Sequence, residues 1–299
     1  MTDAVVGFLL VDKAPGRTSH DVVADVRRLV RTKVGHAGTL DPLATGLLVL
    51  GLGRATRLLR YVQGLHKEYF ATARFGVATD TLDADGAVLD RTPLPVERAE
   101  VEEAAKRFVG TILQVPPMVS ARKVGGVRLY ELARRGEEVE REARPVEIVE
   151  LEILSVAPSD YPEVRFRAVV GSGTYIRTLA DDLARALGGH AHLTALRRTR
   201  IGPFAVEEAR TVAELEALAA DGRLAEVVSP PADALAFLPD VVVDEALAEA
   251  ARHGAPIAAG ALSSLPEAGS PVRVVDPAGE LIGVFRSSDA GLRPEVVLA

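Results

Sequence analysis

The sequence predicts an α+β protein of two domains, one large and one small, on three observations. At 299 residues the chain is longer than one ordinary domain. Over most of its length, segments with period-two apolar alternation are interleaved with segments whose apolar residues recur every three or four positions, the respective signatures of strand and helix. Past Pro230-Pro231 and Pro239 the pattern changes to short strands separated by turns. The expected division is 1–236 and 237–299. A hydrophobic content of 48% supplies a real core. With no Cys there is no disulfide, thiol nucleophile or cysteine metal site. The lack of Trp and an aromatic content of 4% argue against a broad base-stacking platform. No apolar run approaches a membrane span and no signal-peptide pattern opens the chain, so a soluble cytoplasmic protein is expected.

Gly7 to Lys13 reads as a first strand ending in a turn at Ala14-Pro15-Gly16. Thr18 with Asp21 forms a capping-box pattern, and the helix it opens places Val22, Val26, Leu29 and Val30 on one face. Arg27, Arg28 and Arg31 fall mostly elsewhere. Next comes Val34 to Leu48, V-G-H-A-G-T-L-D-P-L-A-T-G-L-L. Pro42 restricts the backbone of Asp41 to extended geometry, and Gly35, Gly38 and Gly46 permit close approach of another backbone. The stretch is either an ordinary acidic turn or a presented carboxylate that a bulky partner can touch. The run Leu47 to Leu52 suits a strand buried on both faces and would mount that loop rigidly. Arg54, Arg57 and Arg60 then sit three apart on a further helix.

Lys67 to Phe75 alternates as a strand, and Tyr69 on it reads from the residues alone as a packing side chain. Thr79 to Gly86 is a hairpin connection; it lacks the bidentate Glu of a calcium loop. Residues 97–109 make an amphipathic helix with Val101, Ala104, Ala105 and Phe108, and 114–123 is extended. Residues 120–145 carry Arg122, Lys123, Arg128, Arg134, Arg135, Arg141 and Arg144 among five glutamates, a salt-bridged helix or a basic lobe. Two strands follow, 146–156 and 163–170. G-S-G-T-Y-I-R-T then feeds a helix with Leu179, Leu183, Ala186 and Leu187 as its stripe. His190 and His192 have no companion ligand cluster and read as turn or core histidines. Residues 205–236 form closing helices. Val241–Val243, Val272–Val275, Leu281–Arg286 and Val296–Leu298 read as strands, with a hairpin turn at Asp276–Glu280.

The net charge of −7 looks wrong for a nucleic-acid binder until it is divided. Residues 205–299 carry −10, whereas 13–74 carry +7 around the Asp41 loop. Phosphate contact would require this distribution, though a solvated basic face produces it too.

The stretch G-H-A-G-T-L-D-P-L-A-T-G-L-L resembles the active-site signature of the TruB family, the tRNA pseudouridine-55 synthases. The likeness continues in Tyr69, in T-D-T-L-D-A-D-G (79–86), in G-T-Y-I-R-T (173–178) and in H-L-T-A-L-R-R-T-R-I-G-P-F (192–204), and covers most of 7–205. Two departures are visible: Ala14 stands where the family carries proline, and Val119 where it often has Tyr. The resemblance implies the pseudouridine-synthase fold, a central mixed, mostly antiparallel sheet flanked by helices, with a small C-terminal PUA-like β-barrel. The C-terminal part carries −5 over 240–299, which speaks against strong RNA binding there; a stabilising β cap is the alternative.

The resemblance also implies a function: isomerisation of uridine 55 in the tRNA T loop by a monomeric cytoplasmic enzyme that needs no metal or cofactor. Asp41, Tyr69 and Arg177 would be catalytic, with Arg177 lowering the pKa of Asp41. His36, Gly38, Thr39, Asp83, Lys123, Tyr175 and Leu196 would contact the RNA or line the pocket, His36 filling the gap left by a flipped base. Residues 120–145 would be a lobe closing over the RNA. The rivals are a non-catalytic RNA-binding protein on the same scaffold and a glycosidase or N-glycosylase. A hydrolase usually needs a second carboxylate to activate water.

Overall fold

A computed structural model describes residues 5–118 and 139–298, with backbone alone for 123–124 and 127–128 between them. The expected basic lobe 120–145 lies mostly outside the described residues, as does the side chain of Lys123, whose backbone belongs to a short strand, Lys123–Val124.

The chain begins with β1 (Gly7–Lys13) and α1 (Ser19–Val30). Thr18 caps α1 in a complete capping box, its hydroxyl accepting from the Asp21 N–H while the Asp21 carboxylate accepts from the Thr18 N–H. After β2 (Val34–His36) and β3 (Thr45–Leu52), a 3-10 turn over Gly53–Arg57 and the short helix Leu59–Gln63 replace the single basic helix expected there. Arg54 and Arg57 donate to the carbonyls of Leu298 and Val297, so they tie the C-terminal part down. β4 (Lys67–Phe75) leads into a hairpin of β5 (Val77–Thr79) and β6 (Val88–Arg91). The amphipathic helix is shorter than expected, Arg98–Ala105, and relaxes into a 3-10 turn. β7 is Gly110–Gln114, β8 and β9 are the pair Lys123–Val124 and Val127–Arg128, β10 is Arg144–Ala157 and β11 is Glu163–Val170. The helix Ile176–Arg185 and β12 (Ala191–Ile201) complete the site-bearing elements. That helix buries Ile176, Leu179, Ala180, Leu183 and Ala184, whereas Ala186 is exposed and Leu187 only partly buried. The helix ends at Arg185, two residues before the expected stripe does.

The main sheet runs β1-β3-β12-β4-β11-β10-β7, and all its pairings are antiparallel except β12 with β3. The mixed, mostly antiparallel sheet flanked by helices is therefore present. Gly46 makes the parallel contact possible: its φ is +98°, and a Cβ there would strike the Arg198 carbonyl.

Alternation along the strands decides which faces are covered. On β4, Tyr69, Ala71, Ala73 and Phe75 are buried with the helices Arg98–Ala105 and Ile176–Arg185. Phe70 and Arg74 point the other way and are exposed. β3 is buried on both faces, as its continuous apolar run predicted, and so is β1. One face packs on α1 and Leu215; the other packs on Phe204, Leu235, Val284 and Val296.

Val284 and Val296 belong to the C-terminal sheet, ordered Asp240–Val242, Pro271–Val275, Leu281–Ser288, Gly291–Val297, Ile257–Ala258. Its two end strands are not paired with each other, so the described sheet is an open half-barrel. The helix Glu245–Arg252, absent from the strand pattern, covers it through Ala248 and Ala251. Among the described residues no helix is long and apolar enough to cross a membrane.

Candidate active site

Asp41 sits in the loop between β2 and β3, at a cavity of about 330 Å³. The loop is held from three sides by groups that take up its backbone. The Ser19 hydroxyl donates to the Leu40 carbonyl at 3.1 Å and accepts from the Leu40 N–H at 2.8 Å. The Lys13 ammonium, fully buried, donates to the carbonyls of Arg17 (2.7 Å), Ala14 (3.0 Å) and Pro42 (3.2 Å). Arg198, 1% exposed, donates to the carbonyls of Leu47 at 2.8 Å and Gly38 at 3.0 Å. Each donor is charged or buried, so each bond is made where water does not compete.

Arg177 lies on the first turn of the helix Ile176–Arg185 and is 4% exposed. Its Nε is 3.0 Å from Oδ2 of Asp41. Its Nη1 donates to the Thr81 carbonyl at 2.6 Å and lies 3.4 Å from Oδ2 of Asp83. One guanidinium thus spans the Asp41 loop and the β5–β6 hairpin. Asp83 is itself fixed, accepting from the Thr81 hydroxyl at 2.6 Å and the Asp85 N–H at 3.2 Å.

Arg177 does pull the Asp41 pKa down, as expected, but it does not set the net shift. The pKa of Asp41 is raised, not lowered, because burial outweighs the attraction of Arg177 and because Asp83 adds like charge. The carboxylate still keeps an accessible edge, about 35% of its side chain. It stands at the mouth of a poorly solvating site, more basic than an ordinary aspartate.

Tyr69 and Leu196 line the same cavity from β4 and β12, and Gly38, Thr39 and Tyr175 complete the expected wall. Gln114 positions Tyr175, its amide nitrogen donating to the Tyr175 carbonyl at 3.1 Å and its amide oxygen accepting from the Tyr175 N–H at 2.8 Å. His36 stands at the edge, outside the lining, with Nδ1 accepting from the Gly38 N–H at 3.3 Å. Burial lowers its pKa, with Arg198 acting the same way, which favours a neutral ring. Among the described lining residues Asp41 is the one carboxylate. Among the described residues no group of acids and histidines could hold a metal ion. His190 meets Asp181 and His192 meets the Val77 carbonyl, as structural histidines do.

Residue-level reading missed Arg198, Lys67, Lys13, Ser19 and Gln114 as site components. Lys67 lines the cavity and donates to the Gln63 and Leu65 carbonyls, and burial pulls its pKa down to about 8. Strand parity could have found Arg198, since it lies two residues past Leu196 and so shares its buried face.

A family model described as TruB family pseudouridylate synthase (N terminal domain) matches residues 27–176. A second, described as tRNA pseudouridylate synthase B C-terminal domain, matches 177–236. The tRNA pseudouridine synthase B of Burkholderia mallei (strain NCTC 10247) is 46% identical over 296 residues, covering 98% of this chain and 96% of that protein. The protein of the same name from Thermobifida fusca (strain YX) is 44% identical over 300 residues, covering 98% of each. Among solved structures, a Cbf5-Nop10-Gar1 complex matches with a TM-score of 0.76 at 28% identity, over 98% of this chain and 85% of that one. An H/ACA RNP bound to a substrate RNA containing 2'-deoxyuridine matches with a TM-score of 0.75 at 26% identity, over 98% and 85%.

Proposed function

The chain belongs to the TruB family of pseudouridylate synthases, and from that premise we propose that it converts uridine 55 in the T loop of tRNA to pseudouridine. The observation that carries this reading is the Asp41–Arg177 pair at 3.0 Å in a cavity that Tyr69 also lines.

The reaction breaks the N1–C1′ bond, turns the base, and joins C5 to C1′. A proton leaves C5 and N1 gains one, so nothing is oxidised and no water is added. The target base must leave its stack to reach Asp41. A carboxylate of raised basicity suits a covalent or ion-stabilising role at the sugar or the base. Arg177 holds its orientation. Tyr69 offers a ring to the extruded base and a phenol for the proton movement. Gly38, Thr39, Tyr175 and Leu196 shape the pocket, and His36 at its edge takes the place of the flipped base in the RNA. Asp83 acts through Arg177. Lys123, whose side chain lies outside the described residues, would contact the RNA. The single carboxylate of the lining disfavours glycoside hydrolysis, where a second acid activates water.

We further propose that the protein acts as a cytoplasmic monomer on the tRNA T arm, through a catalytic domain of residues 1–236. Residues 237–299 would be a PUA-like accessory whose sheet shares a core with the catalytic domain through Val284 and Val296. The test is nucleotide-resolution mapping of bulk tRNA treated with the wild type and with Asp41→Asn. Pseudouridine at position 55 with the wild type alone supports the reading. Free uracil among the products would move the assignment to an N-glycosylase.

A further inference from the structure

The half of the sheet left uncovered by helices carries a second cavity, on the side of β4 opposite Tyr69. We propose that this groove is a subsite for an unstacked base of the RNA beside the target uridine, an inference that rests on the RNA-modifying reading above. The groove holds about 620 Å³, within the ~300–1,000 Å³ range typical of small-ligand sites. Phe70 faces it from β4, with Leu43 and Leu154 beside it. Leu196 lines both this groove and the cavity at Asp41. The turn from Asp41 to Thr45 divides them: Asp41 faces one, Leu43 and Thr45 the other. Adjacent residues of a single-stranded polymer could therefore occupy both.

The chemistry of the groove selects a nucleotide. Phe70 is 37% exposed, a ring whose remaining apolar surface is buried only when something stacks on it. Base–aromatic stacking is the common way to hold an unpaired nucleotide. Neighbouring arginines are spoken for: Arg74 by Glu163, Arg167 by Glu68 and Glu150, Arg197 by Asp12. Arg165, which also lines the groove, is exposed and has no carboxylate within ion-pair distance among the described residues. It offers its guanidinium to a phosphate. Asp85, also in the lining, can accept from an exocyclic amine. A purely apolar ligand would cover Phe70 and leave both charges desolvated without partners, at a cost.

The test uses a T-arm stem–loop RNA carrying 2-aminopurine at each loop position in turn. With wild type, one position next to the target should change fluorescence on binding, and Phe70→Ala should abolish that change. Phe70→Ala and Phe70→Leu should raise the Kd about five- to hundredfold, leave kcat at saturating RNA unchanged, and be rescued by Phe70→Tyr. Removing the base at the responding position should weaken wild type to the level of Phe70→Ala and cost that variant nothing more. Wild-type Kd in both Phe70→Ala and Phe70→Leu overturns the subsite, as does an abasic penalty that adds in full to Phe70→Ala. A lowered melting temperature with reduced kcat in Phe70→Ala, not rescued by Phe70→Tyr, marks a purely structural role and also overturns it. In each of these cases wild-type pseudouridine formation stands, whereas wild type inert on tRNA would instead sink the functional reading.

Discussion

Arg198→Met isolates what the buried guanidinium does for the Asp41 loop. Methionine fills much of the stem's volume and removes every donor. Two bonds of good length disappear, to Leu47 and Gly38, together with longer approaches of 3.5 Å to the Thr39 carbonyl and the Tyr69 hydroxyl. Gly38 lines the cavity, so its carbonyl can turn to water, whereas Leu47 is fully buried. An orphaned buried acceptor costs about 1–3 kcal/mol. Removing a buried cation returns part of that, because its desolvation no longer opposes folding. The expected net loss is therefore small, about 1–2 kcal/mol in urea titration. Activity should fall much further, because the loop loses the anchor that sets Asp41 against Arg177, and a misplacement near 1 Å costs about a hundredfold in rate. Single-turnover pseudouridine formation on saturating tRNA measures it. The pKa of Lys67 should also rise from about 8, since Arg198 contributes to holding it down. Unchanged turnover in a variant that is measurably less stable would refute the anchoring argument.

Asp41→Asn should abolish turnover yet stabilise the protein at neutral pH. A carboxyl whose folded pKa is raised loses stability as pH climbs through that pKa, and the amide carries no such charge; a lower melting temperature at pH 7 than wild type would contradict this. For the same reason the acid limb of the wild-type rate should lie above the range of an ordinary aspartate, and a limb near 4 would mean that Arg177 wins over burial. Arg177→Lys should lose most activity, because one ammonium cannot reach Asp41, Thr81 and Asp83 together; wild-type kcat would dismiss the spanning role. Lys13 and Lys67 are both depressed to about 8, so the unfolded chain binds more protons between there and 10.5. Stability should rise over that window by on the order of 3 kcal/mol for each lysine, and Lys67→Met should remove its share.

Much of this protein is local and was legible in one dimension. The capping box at Thr18, the doubly buried run of β3, the alternation of β4 and the Asp-Pro turn each depend on neighbours within a few residues, and each stands where the pattern puts it. The motifs likewise named the pair Asp41 and Arg177, though they lie 136 positions apart. Element ends were less well read. The last turn of the helix Ile176–Arg185 and the helix Glu245–Arg252 depend on where the chain must turn to pack, which spacing alone does not state.

What only the tertiary structure decided is electrostatic. Composition and motif can place a guanidinium beside a carboxylate, but the sign of the pKa shift is a contest between that attraction and the water both groups lose. The second quantity exists only once the sheet and helices close around them. The same holds for Lys13 and Lys67, basic residues that a charge count over 13–74 reads as phosphate contacts, and for Arg198 beyond that range. Folding turns them inward to hold backbone carbonyls, because buried backbone polar groups must be satisfied somewhere other than in water.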